Sequence, residues 1–203
     1  MLKFAVASSF VSVAAAWGQM QLNETALGLS LGGGDTVDTL DPNAYVGRWY
    51  QMYADKLVLD TIEPDAYCVT ADYALLEDGS ISVHNYQTTG SPTEGAAVID
   101  GTATIPNADE PGKLKVQFPS EGTVAAPYWV LDLGPVNGDG VYDWSIVSDP
   151  FTAYLFVLAR DVDTFKTKYD EEVSTKLKNL GFTKKFNSPI VTYQESDCKY
   201  ESE

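Results

Sequence analysis

Basic side chains are scarce in this chain. Lys and Arg number 13 against 29 Asp and Glu, for a net charge of -16. A field of that sign repels phosphate backbones, so nucleic acid is excluded as a partner. Histidine is scarcer still: His84 is the only one, and neither a His-containing metal motif nor a Ser-His-Asp set is present. Cysteine is limited to Cys68 and Cys198. The glycine run Gly32-Gly33-Gly34-Asp35 lacks the Lys-Ser/Thr that would make it a phosphate loop. No cofactor signature is found, and no cofactor is expected. Long apolar runs are missing too; the stretch Phe4 to Ala15 is too short to span a bilayer.

That stretch has another reading. Lys3 precedes it, and Ala14-Ala15-Ala16 offers a small-x-small cleavage site, so residues 1–16 read as a secretory signal peptide. A buried N-terminal helix is the plainer alternative. A bipartite plastid signal would need an Arg-rich transit segment next, and residues 17–43 hold no Lys or Arg. Residues 17–39 read as a flexible arm, being polar and glycine-rich. The arm carries the chain's one glycosylation sequon, at Asn23 (Asn23-Glu24-Thr25).

Beyond the arm the composition changes. The whole chain is 44% hydrophobic and 12% aromatic, enough to fill a core in one domain of 203 residues. Short runs rich in Val, Ile, Tyr, Phe and Thr recur every ten to fifteen residues or so, split by turn residues, which is the pattern of an antiparallel sandwich or barrel. The runs predict strands near 47–54, 66–76, 80–87, 95–105, 113–118, 127–133, 141–148 and 153–160. Within them apolar and polar residues alternate. Val69, Ala71, Tyr73 and Leu75 oppose Cys68, Thr70 and Asp72; Ile81, Val83 and Asn85 oppose Ser80, Ser82 and His84; Leu114, Val116 and Phe118 oppose Lys113, Lys115 and Gln117. One face thus encloses an interior and the other meets solvent, His84 included.

One amphipathic helix follows the strands, with Phe165, Tyr169, Val173 and Leu177 on a single stripe. Asp161 or Asp163 can cap its start and Gly181 can end it. Its apolar stripe must pack on the outside of the sheet. Pro189 to Gln194 reads as a short last strand, and residues 196–203 as an acidic tail.

Three motifs in order carry a resemblance. They are Tyr45-Val46-Gly47-Arg48-Trp49-Tyr50 at the first strand, Ala126-Pro127-Tyr128-Trp129 at the sixth, and Leu158-Ala159-Arg160-Asp161 at the last. Over about residues 40–200 the chain resembles the lipocalin family, in its apolipoprotein D and bacterial branch. A further signature before the seventh strand is degraded, with Asp139 and Trp144 as its nearest matches. The resemblance implies an all-β fold: an eight-stranded antiparallel up-and-down barrel with one C-terminal helix packed outside, over residues 40–195. It also implies that Gly47, Trp49 and Arg160 close the barrel. The chemistry suits that role, because Trp49 is large and rigid and the Arg160 guanidinium can stack on its indole and bond backbone carbonyls near Asp41 to Tyr45.

The resemblance implies as well that Cys68 and Cys198 form a disulfide; two free thiols in a reducing compartment are the alternative. Some lipocalins are enzymes, among them a prostaglandin isomerase with a free cysteine facing the cavity. Cys68 has outward parity, so catalysis is not expected. Parity and family positions together name the cavity wall. From the second and third strands come Val69, Ala71, Tyr73, Val83 and Asn85. The fourth to sixth add Ile99, Val116, Phe118 and Tyr128, and the eighth adds Tyr154 and Phe156. These residues either hold a ligand or pack against each other. Residues 56–62 form an unusually apolar first loop, read as a lid or as a surface that meets membrane or a receptor.

The leading expectation is a secreted binder and carrier of a small hydrophobic ligand, such as a fatty acid, lysolipid, sterol, retinoid or carotenoid-type compound. The alternatives are an enzyme of lipid or isoprenoid metabolism on the same barrel, marked by a Cys or His inside the cavity, and an interaction protein that uses its first loop.

Overall fold

The computed structural model describes residues 35–121 and 124–202. The expected signal peptide, the sequon at Asn23 and most of the expected arm lie outside the described residues. A short helix α1 (Pro42–Tyr45) opens the fold, capped by the Asp41 side chain, which accepts from the Asn43 N–H at 2.9 Å. Strand β1 (Gly47–Ala54) follows, then helix α2 (Lys56–Thr61). Six strands then run in sequence: β2 (Ala66–Leu75), β3 (Ile81–Thr89), β4 (Ala97–Thr104), β5 (Lys113–Gln117), β6 (Ala126–Leu133) and β7 (Trp144–Ser148). β8 (Leu155–Ala159) completes the set.

Each strand pairs antiparallel with the next, and β1 pairs with both β8 and β2, so eight strands close into an up-and-down barrel. Closure leaves no free edge between them. A two-residue strand, β9 (Ile190–Val191), adds to β1 at Tyr53 and Ala54. It spans only the middle of the strand expected there. β7 starts three residues later than the sequence suggested. The cause is a turn held by Asn137, whose Oδ1 accepts from the N–H groups of Asp139 and Val141 and whose Nδ2 donates to Asp143.

The helix lies outside the barrel as expected, but with an interruption. α3 (Val162–Thr164) passes into a π turn, Phe165–Tyr169, and then into α4 (Asp170–Asn179). Of the two candidate caps Asp161 acts, accepting from the Thr164 N–H at 2.7 Å. Phe165, Tyr169, Val173 and Leu177 are all buried, against Met52, Leu131, Trp144, Ile146 and Val157 on the barrel's outer face. Chain reversal after α4 uses Gly181, whose φ of +91° suits glycine.

Two expectations need correction here. The first connection is not a loop: residues 56–61 form α2, capped by Asp55, and Val58 is fully buried against Ala54 and Tyr154. The other apolar residues of the segment are half-buried, with Leu57, Leu59 and Ile62 packed on the same cluster. Six residues are too few for a helical period to show in a sequence. The second correction concerns the start of the domain. Val37, placed in the arm, donates its N–H to the Val130 carbonyl and packs on the core. The tail is docked as the implied disulfide requires: Cys198 is bonded to Cys68, Tyr200 meets Tyr50 edge-on, and the Lys199 N–H bonds the Pro92 carbonyl.

Candidate ligand cavity

At one end of the barrel the chain enters through α1 and is stoppered. Trp49 is wholly buried and its indole N–H donates to the Tyr45 carbonyl at 2.8 Å. The Arg160 guanidinium lies flat over that indole, 3.6 Å from the ring centre. Its Nη2 reaches the carbonyls of Ala44, Tyr45 and Val46 at 2.8–3.1 Å, and Nη1 reaches that of Arg48 at 2.8 Å. Ala44 and Tyr45 lie in the stretch the sequence suggested, and Val46 and Arg48 just beyond it. Burial lowers the Arg160 pKa to about 10, so it stays charged at neutral pH. Gly47 permits the approach: its φ is +97°, and a Cβ there would stand 3.2 Å from Arg160 Nη1.

Asp139 belongs to an exposed turn and does not join this floor. The acid that does so is Asp143, directly before Trp144. It accepts from the Tyr169 hydroxyl and from Asn137, and its carbonyl takes the Arg160 N–H. The turn that holds Gly138 and Gly140 separates Asp139 from Asp143 by four residues.

Above the floor the interior is hollow, with a cavity of about 160 Å³. The wall residues expected from parity line it, from Val69, Ala71 and Tyr73 through Val83, Asn85 and Ile99 to Val116, Phe118, Tyr128 and Phe156. Tyr154 does not. It has inward parity, but it lies before β8 begins, at the rim, where α2 folds over it. Alternation alone cannot tell the middle of a strand from its end. Thr70 keeps its outward parity, opposite Tyr50 and Tyr86, which face the tail. A bulge between Tyr67 and Thr70, with Cys68 at φ +53°, lies where Cys68 meets the tail. The Cys68–Cys198 disulfide spans 5.5 Å between Cα atoms.

Polar groups occupy the two ends of the cavity. Near the floor three tyrosines share hydroxyl contacts, Tyr45 to Tyr128 at 2.8 Å and Tyr128 to Tyr73 at 3.3 Å, with Ser145 adding a fourth group at 3.0 Å from Tyr45. Burial raises all three phenols, Tyr45 to about 12, so they act as neutral donors and acceptors. At the other end, in the β1–β2 connection, stands Glu63. It is buried, and burial pushes its carboxyl up to about 7 against the opposing effect of the Gln51 hydrogen bond. Gln51 Nε2 donates to Glu63 Oε2 at 2.6 Å and lies 3.2 Å from Thr192 Oγ1. Gln51 shares the parity of Trp49, a signal that could have found it. Glu63 lies outside any strand, so no alternation pointed to it. At the rim Asp55 is also raised to about 7 by burial, and Asp149 is raised for the same reason.

His84 and Cys68, the chain's only imidazole and its candidate thiol, sit away from this space. His84 faces outward between Asp100 (2.6 Å) and Glu201 (2.7 Å). Among the described residues no cluster of three or more His, Cys, Asp or Glu is arranged to hold a metal ion.

A closed antiparallel barrel, stoppered at one end, hollow within and braced outside by one helix, is a calyx. The profile of the Lipocalin-like domain matches residues 40–190, and the chain belongs to that family. Apolipoprotein D of Macaca fascicularis is 36% identical over 129 residues, covering 61% of this chain and 62% of that protein. The chain thus spans about three fifths of that relative's length. Outer membrane lipoprotein Blc of Vibrio cholerae is 34% identical over 125 residues, covering 61% of this chain and 67% of that one. Among solved structures, lobster apocrustacyanin A1 superposes with a TM-score of 0.54 at 16% identity, over 84% of this chain and 94% of that one. At that identity the likeness speaks for the fold alone.

Proposed function

We propose that this protein is a secreted carrier that binds a small hydrophobic ligand in its barrel. The observation that carries the reading is the hollow itself: a cavity of about 160 Å³, stoppered at one end and walled by Val, Ile, Phe and Tyr side chains. Binding draws on buried apolar area, at about 0.8 kcal/mol per CH2, with Asn85 or a tyrosine hydroxyl to orient the ligand. The volume is on the order of the ~150 Å³ that takes up one benzene, so a sterol or carotenoid would exceed it unless the walls give way. A chemical step is not part of the reading, because Cys68 is joined to Cys198 and the imidazole of His84 lies outside the cavity. The disulfide and the expected leader at residues 1–16 support secretion. Glycosylation at Asn23 would accompany it.

Native mass spectrometry of protein secreted by a eukaryotic host tests this reading. The expected result is a mass lacking residues 1–16, with a small apolar molecule bound one to one and extractable unchanged. Retention inside the cell, or conversion of the bound molecule on incubation, would contradict it.

A further inference from the structure

Among the described residues that line the cavity, Glu63 is the only ionisable carboxyl, and there is no Lys, Arg or His to balance it. Among the described residues, the sole hydrogen bond to the Glu63 carboxylate comes from Gln51. The buried cation of the barrel, Arg160, lies under Trp49 with its donors committed to backbone carbonyls. Asn85, opposite Ala71 on the inward face of β3, has its Oδ1 buried without a partner.

Several donors that could serve an anion are engaged elsewhere. Ser148 spends its hydroxyl on the Tyr154 carbonyl at 2.6 Å, and the tyrosine hydroxyls engage one another. Like charge adds to the imbalance, since Asp55 acts on Glu63 and Asp149 acts on Asp55, each repelling the ionised form of its neighbour. A buried carboxylate with an open acceptor position is costly unless a cation or a strong donor meets it. A fatty-acid head would bring a second anion into this space. A hydroxyl would offer a single donor. An ammonium brings both the opposite charge and several donors, and the chain's net charge of -16 raises its local concentration.

We propose that the ligand is an apolar amine, with its ammonium paired to Glu63 and its hydrocarbon body in the cavity between β2, β3 and β8. This rests on the reading of the barrel as a ligand cup. It narrows that reading to one head-group class, and it removes carboxylate lipids from the ligands proposed.

The test uses the full, oxidised chain and three probes with one six-carbon tail: hexylamine, hexanol and hexanoate. Their binding is measured calorimetrically at neutral pH, beside the neutral dye N-phenyl-1-naphthylamine. Hexylamine is expected to bind at least tenfold more tightly than hexanol, with hexanoate weakest. In Glu63→Gln the amine-to-alcohol ratio should fall close to one, and in Glu63→Asp, which keeps the charge, much of it should return. If Glu63→Gln does not fold, the order of the three probes on the wild-type chain decides the matter. Equal binding of amine and alcohol, or tightest binding of hexanoate, would overturn the head-group proposal while leaving the cup intact. If neither the dye nor any six-carbon probe binds, the cup itself fails, and this inference with it.

Discussion

Trp49 and Arg160 bear most on whether the floor holds. The indole is fully buried, and the guanidinium over it ties together four carbonyls of the incoming chain. Truncation therefore removes packing and leaves a buried cation without its stacking partner. Trp49→Ala should cost about 3–5 kcal/mol, as aromatic truncations in cores do. A denaturant midpoint unchanged from wild type would show that the barrel does not depend on this stopper. His84 supplies a pH-dependent contact at the same scale. Its pKa is raised first by the Glu201 hydrogen bond and then by that of Asp100, while Asp72 and its partner Arg48 lie across the strand pair. The protonated form is thus favoured in the folded state. The contact stabilises the docked tail fully below the free imidazole value of about 6.5, and is lost as pH rises through the higher folded value. Protection of the Lys199 N–H, corrected for intrinsic exchange, should fall over that rise in wild type and show no such step in His84→Ala. A step that survives in His84→Ala would assign the switch to another group. Single residues were legible where a strand's alternation aimed them, as for Val83 and Phe118. They were illegible where a loop did so, as for Glu63.

At the scale of elements, the strands could be read to within a few residues because turn residues punctuate most of their connections. Gly79, at φ +83°, closes the β2–β3 hairpin. The helix was legible from its stripe, since Phe165, Tyr169, Val173 and Leu177 all reach the barrel wall. The π turn inside it was not, because a residue-by-residue period carries no mark of a single widened turn. α2 was read as a loop for want of length, and its inward packing follows from a rim that the sequence does not show. The docked tail is the element with the clearest covalent support. The disulfide closes a sequence separation of 130 residues, for which the chain-entropy estimate is roughly 4–5 kcal/mol. Cys198→Ser should lower the denaturant midpoint and free the tail from β3. Equal midpoints for the variant and the oxidised wild type would contradict this.

The whole molecule is a cup with an acidic exterior. Its net charge lies far from the neutral point, and its buried apolar side chains gather in three places: around the hollow, in the seam beneath α3 and α4, and under α2. The seam holds the barrel's shape from outside, so the interior need not be filled to keep the fold standing. This division explains how a small barrel can leave a cavity where residues of the same kinds could have packed on each other. It also locates the central claim in that space. Phe156 lines the cavity on β8, and a carboxylate there would stand unpaired in an apolar site or be forced to hold its proton. The most direct measurement is a titration of a neutral apolar fluorophore into the wild-type chain and into Phe156→Asp, with folding of both checked by circular dichroism. Micromolar or tighter binding to wild type, roughly -8 kcal/mol, and at least a tenfold loss in the variant are predicted. No binding to the oxidised wild-type chain, or equal binding to a folded Phe156→Asp, would contradict the account.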